Sequence, residues 1–156
     1  MAVVQRKPCI TPGDHDYADA FEIQLSDSDE RSAEQLLHAG VGQAPAWMRA
    51  VVLAVHRHVL RLNLGPTTSP KHVLGWEILT IEKDAIRLRA EGPLIGGVLV
   101  MRRIPQSSAV LETSVDFRRP ALARIVWTVI APAHRAVARI LLAKLGLSAR
   151  DETTSI

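Results

Sequence analysis

The chain has 156 residues, 47% hydrophobic and 22% charged, which excludes whole-chain disorder and fits one globular domain burying roughly 70% of its unfolded surface. Its formal net charge is +3 and its pI is near 9.5, but the arginines are dispersed and aromatics make up only 4%. That pattern indicates a solvated basic surface and disfavours nucleic-acid binding, while the single cysteine, Cys9, excludes an internal disulfide or a cysteine-held metal.

Residues 1–14, with Pro8, Pro12 and Gly13, read as an N-terminal arm ahead of one domain over 15–147 and a polar tail over 148–156. The start lacks the apolar run of a secretory signal. The longest near-apolar run, Ile125 to Ala133, falls well short of the ~20 residues a spanning helix needs. A cytoplasmic chain without a membrane span is the expectation.

Tyr17 to Leu25 reads as the first strand. Tyr17, Phe21, Ile23 and Leu25 alternate, imperfectly, with Ala18, Ala20, Glu22 and Gln24. After the polar break Ser26–Glu30, Ser32 is a candidate N-cap for a short helix, Ala33 to His38, which Gly40 should stop. A second helix is expected after Pro45, with Trp47, Met48, Val51, Ala54, Val55, His58 and Leu62 on its apolar face. Arg49 and His56 lie opposite, and Gly65-Pro66 is the expected terminator.

The period then changes. Leu74–Ile81, Ala85–Glu91, Gly97–Ile104 and Ala109–Arg118 read as four strands. The short connections Lys83-Asp84, Gly92-Pro93 and Pro105 to Ser108 favour an antiparallel meander, and Gly96-Gly97 suggests a bulge or bend. Last comes an amphipathic helix over Pro120–Leu145. Leu122, Ile125, Val126, Val129, Ala133, Ala136, Val137 and Ile140 form its apolar face, and Arg124, Thr128, Arg135 and Arg139 lie opposite. Pro132 should kink or divide it. The expected class is α+β: a curved antiparallel sheet wrapped around a long C-terminal helix, with two shorter helices after the first strand.

Several residue blocks carry a resemblance. They are Asp16-Tyr17-Ala18-Asp19-Ala20-Phe21, Ala44-Pro45-Ala46-Trp47-Met48-Arg49, Leu64-Gly65 and Pro132-Ala133-His134-Arg135. In this order the chain resembles the helix-grip fold of the START-like, or SRPBCC, superfamily, which includes lipid-transfer domains, polyketide cyclases and plant allergens. More narrowly it is similar to a bacterial family known only as a domain of unknown function. The resemblance spans about Asp14 to Leu145 and implies a fold but no activity. His56-Arg57-His58 departs from it, since the family more usually has an arginine followed by an acidic residue there.

In such a fold a cavity between sheet and final helix would hold an apolar, lipid-like or aromatic molecule, and this is the favoured function. Trp76, Trp127, Ile130, His134, His58 and Phe117 are its candidate lining. His134 is a candidate proton-transfer residue at the cavity mouth or, alternatively, a structural imidazole packed on Trp127. His58 lies in an apolar stripe, either lining the pocket or satisfied in the core. A cyclase- or hydrolase-like enzyme using His134, perhaps with His58, is the second class. An interaction module forming a homodimer through a sheet edge or the arginine-rich face is the third.

On Ala109–Arg118 the simple assignment puts Leu111, Thr113, Val115 and Phe117 inward and Glu112, Ser114, Asp116 and Arg118 in solvent. The reversed sheet would make Glu112 and Asp116 cavity carboxylates. Asp14-His15-Asp16 has metal-compatible residue types, but consecutive residues seldom converge on one ion, so no metal and no cofactor is expected.

Overall fold

A computed structural model describes residues 3–10, 13–105 and 107–153, with side chains described as far as Leu145. The remaining parts of the expected arm (1–2 and 11–12), turn residue 106 and the tail end 154–156 lie outside the described residues.

The meander forms because short turns leave consecutive strands no geometry but antiparallel pairing. β1 (Val4–Lys7), β2 (Tyr17–Gln24), β3 (His72–Val73), β4 (Trp76–Ile81), β5 (Ala85–Glu91), β6 (Ile95–Ile104) and β7 (Ser108–Phe117) make one open, curved sheet in the order β1-β2-β7-β6-β5-β4-β3. Every neighbouring pair is antiparallel. Helices α1 (Ala33–Gln43) and α2 (Ala46–Ala54), the latter continuing into a π-turn over Val55–Val59, follow β2, and α3 (Pro120–Thr153) closes the chain. The α+β class and the long C-terminal helix match expectation.

β1 is a strand inside the segment expected to be an arm, and the backbone of α3 continues to Thr153, into the expected tail. From β1 the chain crosses the convex face of β7. Ile10 N–H donates to Glu112 Oε1 at 3.0 Å, His15 Nδ1 lies 3.0 Å from Asp116 Oδ1, and Phe117 N–H donates to Asp16 Oδ2 at 2.6 Å. Glu112 is therefore buried, with Arg102 Nε at 3.1 Å, rather than solvated. Its face of the strand is the expected one; its environment is not. His15 and Asp16 hold this crossing in place. The polar break before α1 is also pinned: Arg103 donates to the carbonyls of Asp29 and Arg31, while Arg31 Nη2 bonds Asp29 Oδ2 at 2.7 Å.

Ser32 caps α1 in a capping box with Gln35, as its sequence indicates. Gly40 does not stop the helix. It lies inside α1 because α3 presses on it: a Cβ there would sit 3.3 Å from the Leu141 carbonyl. Gly96-Gly97 is not where the register shifts; that irregularity falls in β4, between Ile78 and Thr80. Gly97 instead leaves room for the Trp76 ring, whose nearest carbon would meet an added Cβ at 2.7 Å.

Two helix faces differ from their sequence assignments, that of α2 by about one residue and that of α3 by nearly half a turn. In α2 and its extension Met48, Val52, His56 and Leu60 form a row of spacing four on the inner side, and Trp47, Val51 and His58 are exposed. Beyond Val52 the helix widens into the π-turn, where Leu60 N–H bonds Val55 O at 2.9 Å, one residue further back than an α-turn reaches. The helix ends at Leu60, and Arg61 takes the left-handed conformation (φ 52°), ahead of the expected Gly65-Pro66 stop. In α3 the buried row is Ala123, Trp127, Ala131, Ala138, Leu142 and Leu145, while Leu122, Ile125, Val129 and Ile140 are exposed. Small alanines let the helix approach the sheet closely. The helix continues through Pro132, which lies on its exposed side.

Replacing Gly97 by Ala should destabilise the fold by about 1–3 kcal/mol, because the buried Trp76 must move. Replacing Gly42 in α1, where nothing lies within 4 Å, should stabilise it by roughly 0.5–1 kcal/mol. Urea unfolding midpoints at constant m-value test both.

Candidate functional site

The concave face of the sheet and the three helices enclose a partly open pocket of about 160 Å³. Leu88, Ile95, Leu99, Leu111, Thr113 and Val115 form its floor. Leu37 and Val41 of α1 and Met48, Val52, Val55 and His56 of the α2 segment form one side. From α3 come Trp127, Ile130, His134, Val137 and Leu141. The walls are almost wholly apolar, which makes the few polar groups the informative ones.

One polar cluster sits where β2, β7 and α3 meet. Asp19 pairs in register with Thr113, and its carboxylate is fully buried. Tyr17, two residues earlier on the same face, donates its hydroxyl to Asp19 Oδ2 at 2.5 Å, and His134 Nε2 lies 3.3 Å from that oxygen. The Tyr17 ring meets Trp127 edge-on at 5.1 Å, and the Trp127 and His134 rings lie 5.4 Å apart. Arg135 Nη1 reaches the Tyr17 hydroxyl at 3.4 Å from outside the pocket.

Burial by itself would push the Asp19 carboxyl up. The hydrogen bond and charge from His134, the Tyr17 hydroxyl and Arg6 outweigh it, so its pKa lies below the ordinary 3.8. The result is a carboxylate held ionised at an apolar wall beside an imidazole. Burial and the Asp19 contact push the Tyr17 phenol the other way, above its ordinary value. His134 Nε2 has only its 3.3 Å contact to Asp19 Oδ2, and Asp19 Oδ1, Thr113 Oγ1 and Trp127 Nε1 are buried without a hydrogen-bond partner among the described residues. Each such atom costs about 1–3 kcal/mol when nothing meets it.

The second polar group is His56. Its Nδ1 accepts from Trp76 Nε1 at 3.2 Å, which leaves the ring proton of the neutral imidazole on Nε2. Burial, and then the charge of His134, lower its pKa from 6.5 to about 4. His56 is thus neutral at physiological pH.

Trp76, Trp127, Ile130 and His134, named from the sequence, all line the pocket. His58 does not; it is exposed, and the four-residue row of the π-turn turns His56 inward in its place. Phe117 lies half-buried at the far end of β7, packed on the core outside the pocket lining. The sequence reading missed Tyr17, Asp19 and His56. For Asp19 a signal existed: it is the acid that spoils the apolar alternation Tyr17, Phe21, Ile23. No such local signal marks His56.

No known family model, curated protein or solved structure matches this chain. The chemistry of the site therefore rests on its own residues.

Because folded His56 refuses a proton that the unfolded chain accepts, stability should fall as pH drops from about 6.5 to about 4 and level off below. The loss is on the order of 1–3 kcal/mol. His56→Gln retains an acceptor for Trp76 and should flatten that window specifically, as read from urea midpoints against pH. An unchanged pH profile in the variant would show that His56 is not held neutral.

Proposed function

We propose that this chain is a helix-grip protein of the START-like kind, allied to the bacterial family whose residue blocks it resembles. Its pocket binds a small, mainly apolar molecule carrying one neutral hydrogen-bonding group. The order of strand, two helices, meander and long helix supports the fold assignment. One observation carries the function: an apolar pocket with Thr113 Oγ1 and Trp127 Nε1 buried and unpartnered on its wall.

Size and charge narrow the ligand. A comparable apolar cavity of roughly 150 Å³ holds benzene, so about 160 Å³ fits one aromatic ring or a short branched chain. Trp127 Nε1 only donates and Thr113 Oγ1 does either. A hydroxyl or carbonyl oxygen complements that set. The ionised Asp19, paired in register with Thr113 beside the pocket, would repel an anion there, so a neutral phenol or ketone is favoured over a carboxylate.

Phenol should raise Tm more than benzene does, and benzoate should give little or no shift. In Thr113→Val the advantage of phenol over benzene should shrink several-fold, while benzene binding persists. If no ring-sized molecule shifts Tm and native mass spectrometry detects no complex, the binding role is wrong.

The Asp19–His134 contact favours a second role. A carboxylate orienting an imidazole at a pocket wall is a geometry suited to proton transfer, as in a hydrolase- or cyclase-like enzyme. Turnover of small aromatic esters by the wild type, lost in both His134→Gln and Asp19→Asn while phenol binding is retained, would establish it. Binding without turnover would leave the carrier role alone.

A further inference from the structure

The outward face of α3 is as apolar as its inward face. Leu122, Ile125, Val129 and Ile140 project within a narrow arc at 100° per residue, and Ile125 and Val129 are 66% and 76% exposed. By length and hydropathy Pro120–Leu145 would suffice to cross a bilayer, yet only 22% of its most apolar window is buried. Trp47 and Val51 of α2 are 68% and 53% exposed on the other side of the pocket opening. Val51 and the exposed Ala133 also line the pocket, so the outer apolar surface runs continuously into its mouth.

The charge around this surface has one sign. The chain contains no Asp or Glu from Leu36 to Gly75 or from Phe117 to Arg150, the stretches that supply α2, its π-turn and α3 as far as Arg150. At 100° per residue Arg139 and Lys144 border the α3 stripe on its two flanks, Arg124 and Arg135 lie on the far side of the helix, and α2 with its π-turn adds Arg49 and Arg57. Among the described residues Arg49, Arg57, Arg139 and Lys144 form no ion pair. A second copy of this chain placed on the same face would set arginine against arginine with no carboxylate between them. An anionic lipid surface supplies the missing charge, and an apolar stripe with an exposed tryptophan and flanking arginines suits the headgroup boundary.

We propose that the α2–α3 face docks peripherally on anionic phospholipid bilayers, with Trp47, Ile125 and Val129 inserted and the arginines at the headgroups. Docking stands on the outer surface alone. The consequence that the pocket mouth then opens toward the lipid, so that an apolar molecule passes between bilayer and pocket, rests on the binding role proposed above.

Flotation of the full chain with vesicles of phosphatidylcholine alone and of phosphatidylcholine with phosphatidylglycerol tests this. The chain should float with the anionic vesicles, leave the neutral ones largely unbound, and detach as salt is raised. Ile125→Glu/Val129→Glu changes only exposed positions, so it should keep its Tm and its phenol shift while losing at least tenfold in vesicle binding. Arg57→Gln/Lys144→Gln should lose several-fold. Ala133→Trp, which blocks the mouth, should still float but lose the phenol shift. Vesicle binding by wild type without any phenol shift would sink the pocket role and leave docking standing. Docking is overturned if wild type does not float, if the glutamate variant floats equally well, or if light scattering shows a dimer that the glutamate substitutions dissolve.

Discussion

The closeness with which α3 packs on the sheet is the constraint on which the remaining structure depends. Ala123, Ala131 and Ala138 bring the helix down onto the concave face, and Gly40 lets α1 approach the α3 backbone. Larger residues on that row would lift the helix and open the core. Contact is not continuous, because α2 and its π-turn are held away from α3 on the side of Met48, Val52 and His56. The space left between them is the pocket. Close approach at one place and separation at another therefore come from the same helix.

That constraint also separates satisfied from unsatisfied polar groups. On the convex side Glu112 is buried, but the strand-to-strand crossing was built to meet it: Ile10 N–H and Arg102 both bond its carboxylate. Asp29 in the loop before α1 is similarly met by Arg31 and Arg103, which together with its other contacts hold its carboxyl below the ordinary value despite burial. On the concave side Thr113, one residue from Glu112, has no partner for its hydroxyl, and neither has Trp127 for its indole N–H. Adjacent positions on one strand thus face opposite regimes. Thr113 and Trp127 both line the pocket, where an incoming molecule would meet these atoms.

Much of this was legible in the sequence, for identifiable reasons. The meander followed from period-two patterning and short turns, and the Ser32 cap from a serine placed just ahead of an apolar helical run, because both signals are local. Trp127, Ile130 and His134 reached the pocket because they lie near the inner row of α3. What failed was phase. The face of α2 was misread by about one residue because Trp47 and Val51 are as apolar as Met48 and Val52, so hydropathy alone does not say which row packs inward, and His58 was chosen and His56 passed over. Gly40 and Gly97 were read through local backbone preference, whereas each is small because a distant element, α3 or Trp76, occupies the space a side chain would fill. Asp19 was visible as a flaw in an alternating pattern, but only the pairing of β2 with β7 brought it to Thr113 and only helix packing brought it to His134.

The misassigned face of α3 shows where hydropathy alone stops being informative. Choosing the most apolar side of a helix as its inner side assumes that water is the only alternative environment. On α3 the side with the bulkier aliphatic groups, Leu122, Ile125 and Val129, points out, while the side rich in alanine points in. The inner row is set by how closely the helix must approach the sheet, a steric demand that alanine meets and isoleucine does not. The outer row is free of that demand and carries the larger groups. Its composition is therefore set by what lies outside the fold, and the absence of any acid along the same helix between Pro120 and Leu145 narrows what that environment is.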